Sequence, residues 1–153
     1  MANHSIKFFI PMENPPITTH QQKKVRVVSG KPIFYESDDL KKARDLITDG
    51  LFVYGLQKKS LGKGNEIFKK GVAVSLNVKW CFDGKKGNHS HGSYRITKPD
   101  TDNLQKLLKD CMTALNFWYD DAQVVEEHIG KYWSDIPGIW IECLELDHHS
   151  KKG

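Results

Sequence analysis

The feature that most constrains the fold is a helix pattern that begins inside a group of carboxylates. Residues 102 to 115 place their apolar side chains at the spacing of one helix face. These side chains are Leu104, Leu107, Leu108, Cys111, Met112 and Leu115. Asp100 lies on extended chain just before this pattern, and Asp102 with Gln105 resembles a capping box. The segment therefore predicts an amphipathic helix with carboxylates at its mouth.

The acidic residues around this helix suggest a metal site. Asp100 and Asp102 are two residues apart, so on extended backbone both side chains point the same way. Carboxylate oxygens are the ligands that Mg²⁺ prefers. We expect a short reversal after the helix to bring Asp121 back beside the helix start as a third ligand. The adjacent Asp120 faces another direction and is a candidate outer ligand or cap.

Lys106 lies one turn beyond Asp102 on the same side of the predicted helix. An ammonium there can hold a phosphate or stabilise charge on a leaving oxygen. Plainer interpretations exist for each residue of the group. Asp102 can be an N-cap, Lys106 a solvated lysine paired with Asp110, and residues 120 and 121 a turn. An Asp-x-Asp pair is common by chance.

The length of 153 residues indicates one domain, large enough to bury a real core. The net charge of +4 is modest, so any binding to nucleic acid has to come from local basic segments. Three cysteines without a Cys-x-x-Cys spacing are typical of reduced thiols in a cytosolic protein. No stretch approaches the roughly 20 apolar residues of a membrane span. We expect a soluble cytoplasmic protein that makes no contact with a membrane.

The remaining elements follow from periodicity and turn residues. A helix beginning at Ser37 is favoured because its hydroxyl can cap the free amides ahead of two aspartates. Strands are predicted at residues 6–10, 25–28, 32–35, 72–80, 123–133 and 139–146, with turns at Ser29-Gly30 and Pro137-Gly138. Residues 82–97 are Gly- and Lys-rich and are expected to form a mobile basic loop.

Basic residues outside the acidic group are candidates for contacts with nucleic-acid phosphates. They are Lys23, Lys24, Arg26, Lys85, Lys86 and Lys98. Trp118 and Tyr119 can stack on bases, although core or dimer packing explains them equally well. The histidine pairs at 89/91 and 148/149 lack further ligands at metal spacing, and flexible surface histidines are the better interpretation.

Taken together, residues 98–106, Asp110 and residues 114–124 closely resemble the RusA family of Holliday-junction resolvases. The order of the other elements is also similar, so the resemblance covers the chain from about Ile6 to Leu146. It implies a single nuclease domain over residues 1–146 and a polar tail over 147–153. The implied fold is a small α/β homodimer with a mixed β-sheet flanked by two main helices.

The resemblance also implies an activity, which is Mg²⁺- or Mn²⁺-dependent cleavage of four-way DNA junctions. Asp100, Asp102 and Asp121 match the family's metal-binding positions, Lys106 matches its catalytic lysine, and Asp120 matches an acidic neighbour. Such proteins are often carried by bacteriophages and prophages.

Two other functions remain open from the residues alone. One is a non-catalytic junction-binding module, which the intact acidic set argues against. The other is a nucleotide-sugar transferase using the Asp-x-Asp pair, which is usually a much longer chain. A haloacid-dehalogenase-like phosphatase is disfavoured because a polar loop, and not a hydrophobic strand, precedes Asp100.

Overall fold

The computed structural model describes residues 4–18 and 24–147, without the side chains of Lys24 and Phe34. Lys23, His148, His149 and the predicted tail beyond Asp147 lie outside the described residues. In chain order the strands are β1 (Ser5–Pro11), β2 (Lys24–Val28), β3 (Lys31–Tyr35), β4 (Ala73–Asp83), β5 (Val124–Ser134) and β6 (Gly138–Leu146). The helices are α1 (Asp38–Gly50) and α2 (Thr101–Ala114). A π-helical turn, Leu51–Gly55, extends α1, and a short 3₁₀ turn, Asp121–Gln123, precedes β5.

The main sheet is mixed, as the resemblance implies, with four strands in the order β1-β6-β4-β5. β6 runs antiparallel to both of its neighbours, β1 and β4, whereas β4 and β5 are parallel. A parallel pair needs a crossover connection, and α2 supplies it. The segment β4-α2-β5 is therefore a βαβ unit, in which the helix runs opposite to both strands.

Two local predictions are confirmed at the level of single residues. β2 and β3 pair as a hairpin around Ser29 and Gly30, whose φ angles of 51° and 74° suit a tight turn between twisted strands. Ser37 caps α1, since its hydroxyl accepts a hydrogen bond of 3.1 Å from the Leu40 amide. Short-range chemistry was sufficient to predict both.

The core lies between the two helices and one face of the main sheet. Even-numbered residues of β4, from Val74 to Phe82, are buried there together with the apolar stripe of α2. Trp80, Trp118, Phe68 and Phe117 are its largest fully buried side chains. This packing fixes how α2 crosses the sheet.

Two expectations about the segment before α2 are wrong. β4 continues to Asp83, and residues 92–95 do not form a free loop but pair with the outer edge of β5, where Tyr94 bridges Tyr132. The predicted capping box does not form either. Asp100, not Asp102, is the N-cap residue, and Gln105 turns into the core, where its amide has no hydrogen-bond partner within the described residues.

The cysteines are free thiols, as the sequence predicts. Burial raises the pKa of Cys143 to about 12, so this thiol stays protonated and unreactive. Neither helix in the described part of the chain has the length and apolar run that crossing a bilayer requires.

The core assignment predicts how two leucines respond to truncation. Leu108 on α2 is fully buried, so Leu108→Ala should lower the free energy of unfolding by about 2–5 kcal/mol. Leu46 on α1 is 44% exposed, and Leu46→Ala should cost less than about 1 kcal/mol. Urea denaturation followed by circular dichroism measures both. Equal losses would contradict this placement of the core.

Candidate functional site

Asp100 and Asp102 stand open at the start of α2. The backbone of Asp100 is extended, with φ −75° and ψ 147°, and its carbonyl accepts the first helical hydrogen bond from Leu104 at 3.1 Å. Its carboxylate makes no capping hydrogen bond within the described residues. Asp102 accepts a hydrogen bond of 3.0 Å from the Asn103 amide. Both side chains are exposed to solvent, so their remaining oxygen lone pairs are free to receive a cation.

Two cations hold the segment that leads into this pair. The Lys131 ammonium on β5 donates to the carbonyls of Thr97 at 2.6 Å and Pro99 at 2.7 Å. The Arg95 guanidinium donates to the Lys98 carbonyl at 2.6 Å. Three successive carbonyls before Asp100 are thus fixed by side chains that carry positive charge.

The environments of these cations lower their pKa values. Burial lowers the pKa of Arg95, whose guanidinium lies 4.3 Å from the Phe82 ring centre and 4.7 Å from that of Trp133. Burial also lowers the pKa of Lys131; the Arg95 charge adds to this, and the Asp100 charge opposes it. Lys131 is therefore within electrostatic reach of the Asp100 carboxylate.

Asp120 and Asp121 belong to the turn that starts β5. The Asp120 carboxylate caps this turn by accepting from the Ala122 amide at 2.9 Å. The Gln123 amide completes it, since it accepts from Tyr119 and Asp120 and donates to the carbonyls of Lys69 and Val72. Asp120 thus acts as a cap, and Asp121 is a partly exposed residue of a well-braced turn.

The expected return of Asp121 to the helix start does not occur within one chain. α2 runs antiparallel to β5: Pro99 meets Lys131, and Lys109 pairs with Glu127 further down. The 14 residues of α2 span about 20 Å, so Asp121 lies beside the far end of the helix, where Trp118 bonds Thr113. Within residues 4–18 and 24–147, no group of three His, Cys, Asp or Glu side chains is arranged to hold a metal. This separation within one chain follows from the parallel pairing of β4 with β5, which the strand patterns alone do not indicate.

The basic candidates divide between two places. The loops that follow the carboxyl end of β4 carry three exposed lysines, at the same end of the sheet as Asp100. These are Lys85, Lys86 and Lys98. Lys106 is exposed on α2, one turn beyond Asp102. Arg26 lies on the separate β2-β3 hairpin, with its guanidinium 5.5 Å from the Tyr35 ring centre.

The aromatic and histidine candidates are more structured than expected. Trp118 is fully buried and belongs to the core, whereas Tyr119 is 45% exposed beneath the Lys70 ammonium. His89 stacks on Trp133 with ring centres 4.0 Å apart, and His91 accepts a hydrogen bond of 2.9 Å from the Asp135 amide. These two histidines are exposed, but their contacts fix the 84–93 loop against β5.

Sequence reasoning missed Lys131 and Arg95. Lys131 lies some thirty residues beyond the acidic pair in a strand pattern, and only the βαβ unit brings it to Pro99. Arg95 stood in a segment that was interpreted as a mobile loop. The one available signal was that Arg95 lies only a few positions before the acidic pair in the sequence.

Comparisons with known proteins show which sequences this chain resembles. The model of the family described as Endodeoxyribonuclease RusA matches residues 13–143. The chain is 34% identical over 130 residues to a protein of Lactococcus phage r1t named crossover junction endodeoxyribonuclease rusA, covering 84% of this chain and 90% of that one. It is also 36% identical over 63 residues to the uncharacterized protein YqaN of Bacillus subtilis (strain 168), covering 40% and 44% of the two chains.

The contacts of Lys131 predict a local effect. Lys131→Met leaves the carbonyls of Thr97 and Pro99 without their charged donor, so the segment before α2 should open more often. Amide hydrogen exchange over residues 97–104 should speed up by about tenfold, which corresponds to a lost hydrogen bond of about 1.4 kcal/mol.

The matched control is Lys109→Met, which removes an ion pair on the same face of β5 but leaves these carbonyls bonded. Exchange over residues 97–104 should stay unchanged in that variant. Equal acceleration of exchange in both variants would show that the Lys131 hydrogen bonds do not specifically stabilise residues 97–104.

Proposed function

Because the chain belongs to the RusA family of endodeoxyribonucleases, we propose that it resolves four-way DNA junctions by hydrolysing one phosphodiester bond in each of two opposed strands. The observation that carries this proposal is the solvent-exposed pair Asp100 and Asp102. It lies at the carboxyl ends of β4 and β5, next to several lysines. A pure binding surface gains nothing from carboxylates that repel phosphate.

The donor set suits a hard divalent cation, and we propose Mg²⁺, with Mn²⁺ as a possible substitute. Asp100 and Asp102 would hold it. The family resemblance also implies Asp121 as a ligand and Asp120 as its acidic neighbour, although both lie at the far end of α2 in the same chain. Mg²⁺ keeps several waters and is commonly bound by one or two carboxylates plus substrate phosphate, so an open pair is compatible with it. When bound, such an ion polarises a phosphate oxygen and lowers the pKa of a water.

The chain's own residues supply positioning and charge. Lys106 extends from the exposed side of α2 and would hold the scissile phosphate or stabilise the leaving oxygen. Lys85, Lys86 and Lys98 would contact flanking phosphates at the same end of the sheet. Arg26 on the β2-β3 hairpin would contact a more distant part of the DNA, and Lys23 and Lys24 remain candidates for phosphate contacts. Lys131 and Arg95 would keep the Asp100 backbone in place while DNA binds.

The substrate's symmetry suggests the assembly. A four-way junction has an approximate two-fold axis, so a two-fold homodimer would present one site to each of two opposed strands. Paired nicks would then separate the junction into two duplexes. Such cleavage would serve DNA recombination and repair, and we propose that it takes place in the cytoplasm.

A non-catalytic junction-binding module is the second candidate. The wide separation of Asp121 from the acidic pair within one chain is the observation that favours it. Incubating a labelled four-way junction with and without Mg²⁺ separates the two functions. Symmetric cuts that require the metal support the nuclease, whereas stable binding without any cut supports the module.

Neutralising one carboxylate of the pair should separate binding from cleavage. Asp102→Asn keeps the size of the side chain but weakens its hold on a cation, so cleavage should fall by about 100-fold or more. Junction affinity should stay the same or rise, because repulsion between the carboxylate and DNA is lost.

Gel assays of binding and cutting measure both quantities for Asp102→Asn. Asp45→Asn, an exposed change on α1, serves as the charge-matched control and should leave both unchanged. If Asp102→Asn cuts junctions at the wild-type rate, Asp102 is not part of the catalytic site.

Lys106 should act on rate more than on affinity. Lys106→Ala removes an ammonium placed for the reacting phosphate, so single-turnover cleavage should slow by about 100-fold while the junction Kd changes less than about threefold. Lys42→Ala on the exposed side of α1 is the control. A loss confined to affinity would instead assign Lys106 to phosphate positioning.

A further inference from the structure

Two large apolar side chains stand in solvent on the segment that leads into the acidic pair. Ile96 is 92% exposed and Tyr94 is 74% exposed, which makes them the most exposed large hydrophobic residues in the part of the chain that the structure describes. A single exposed apolar residue is ordinary on a protein surface. Two on one short segment beside a proposed nuclease site form a surface that a ligand can cover.

The backbone that carries this apolar pair, Tyr94 and Ile96, is braced on both sides of Ile96. Before it, the Arg95 amide donates to the Lys131 carbonyl at 3.0 Å. After it, the Thr97 carbonyl accepts from the Lys131 ammonium at 2.6 Å, and the Thr97 hydroxyl accepts from Arg95 Nε at 3.2 Å. Side chains on a braced backbone lose little conformational freedom when they bind, which favours affinity.

The apolar pair shares one side of the segment. Tyr94 bridges Tyr132 on β5, and the two ring centres lie 5.5 Å apart. Arg95 turns the other way, with its guanidinium 4.3 Å from the Phe82 ring centre. Arg95 is half-buried between two exposed neighbours, as expected where side chains alternate along extended chain. The outward side therefore presents an aromatic ring and an aliphatic side chain together.

The apolar pair lies close to the acidic pair. Ile96 precedes Asp100 by four positions, so even a fully extended chain places their Cα atoms no more than about 14 Å apart. A DNA strand covers that distance in about four nucleotides, at about 3.4 Å each. DNA with a phosphate at Asp100 and Asp102 therefore has bases within reach of Ile96.

The charges around the apolar pair indicate which kind of partner covers it. Lys98 is exposed two positions after Ile96, and Lys85 and Lys86 are exposed at the same end of the sheet. Lysine is depleted in interfaces between proteins. Nucleic acid offers phosphates to the lysines and apolar base faces to the apolar pair. This mixture of groups favours DNA over another protein surface.

We propose that Tyr94 and Ile96 insert at the branch point of a four-way junction, where they stack on the base pairs that flank the crossover and separate them. This inference rests on the proposed function, because it names how the same site selects its substrate. Apolar side chains that enter a base step unstack it, at least cost where the stack is already interrupted. An open branch point is such a place and a continuous duplex is not, so insertion makes binding selective for junctions.

Removing the apolar pair tests its part in binding. The double variant Tyr94→Ser, Ile96→Ser should bind a four-way junction about tenfold more weakly, because base stacking is lost. Its affinity for a linear duplex of the same sequence should change less than about twofold. The conservative double variant Tyr94→Phe, Ile96→Leu keeps the apolar surface and should bind both as the wild type does. A tenfold loss of junction affinity in that variant too would overturn the proposal.

The matched control is Val53→Ser, Tyr54→Ser. It also removes one exposed aliphatic and one exposed aromatic side chain, here from the π-helical turn after α1. That turn ends at Gly55, next to Phe117 beyond the far end of α2. Junction and duplex affinities should both stay unchanged, and a junction-specific loss equal to that of the double serine variant at the apolar pair would overturn the proposal.

Permanganate probing gives a readout that does not depend on cutting, since this reagent oxidises thymines that have lost their stacking. On junctions bound without divalent metal, thymines in the pairs that flank the branch point should become reactive with the wild type and with the control. They should stay protected with Tyr94→Ser, Ile96→Ser, and thymines in the middle of each arm should stay protected throughout. Equal reactivity with the wild type and this variant would overturn the proposal.

The same measurements separate this inference from the proposed function. A wild type that cuts junctions in Mg²⁺ but leaves the branch-point thymines protected would overturn the insertion and leave the proposed function standing. A wild type that exposes these thymines but cuts no junction would remove the nuclease and support the insertion. If only the variant Tyr94→Ser, Ile96→Ser changes its association state on gel filtration, the apolar pair contacts a second copy of the chain, and the proposal is overturned.

Discussion

The parallel pairing of β4 with β5 is the constraint on which the rest of the structure depends. It forces α2 to run the whole length of the sheet. Asp100 and Asp121 therefore lie at opposite ends of the strands. The same pairing carries Lys131 to the carbonyls before Asp100 and leaves β5 as an outer strand. The separation of the acidic residues, the cationic support of Asp100 and the outer position of β5 all follow from this one pairing.

Local elements were predictable because their causes lie within a few residues. The stripe of α2, the Ser37 cap and the Ser29-Gly30 turn all appear where the sequence predicts them, since spacing, capping and positive φ are short-range properties. Strand direction is not such a property. Nothing in the alternation of residues 72–80 or 123–133 indicates a parallel pair, so the distance between Asp121 and the acidic pair within one chain was not predictable from the sequence. The resemblance to the RusA family supplied the candidate site residues, but their spatial relation had to come from the structure.

The chemistry of the acidic pair depends on the charges around it. Carboxylates near DNA repel it, and a chain with a net charge of only +4 cannot offset this globally. In the proposed function, Lys85, Lys86 and Lys98 at the same end of the sheet would offset it locally. Lys131 and Arg95 differ from these lysines, because their donors are already bonded to backbone carbonyls. Their charge shapes the segment before Asp100, whereas the exposed lysines would contact phosphate in the proposed function.

The order of strands also has a consequence for how the chain is made. β1 pairs with β6, so Ser5 lies opposite Leu144 and the first strand has no neighbour until the last one exists. Until β6 leaves the ribosome, β1 and β4 each lack the strand that lies between them. Contacts this distant in sequence close slowly and late, which exposes the early segments to chaperones in the meantime. Nuclease activity would accordingly be withheld from the nascent chain, and truncation before β6 would leave unfolded fragments and not partly active ones.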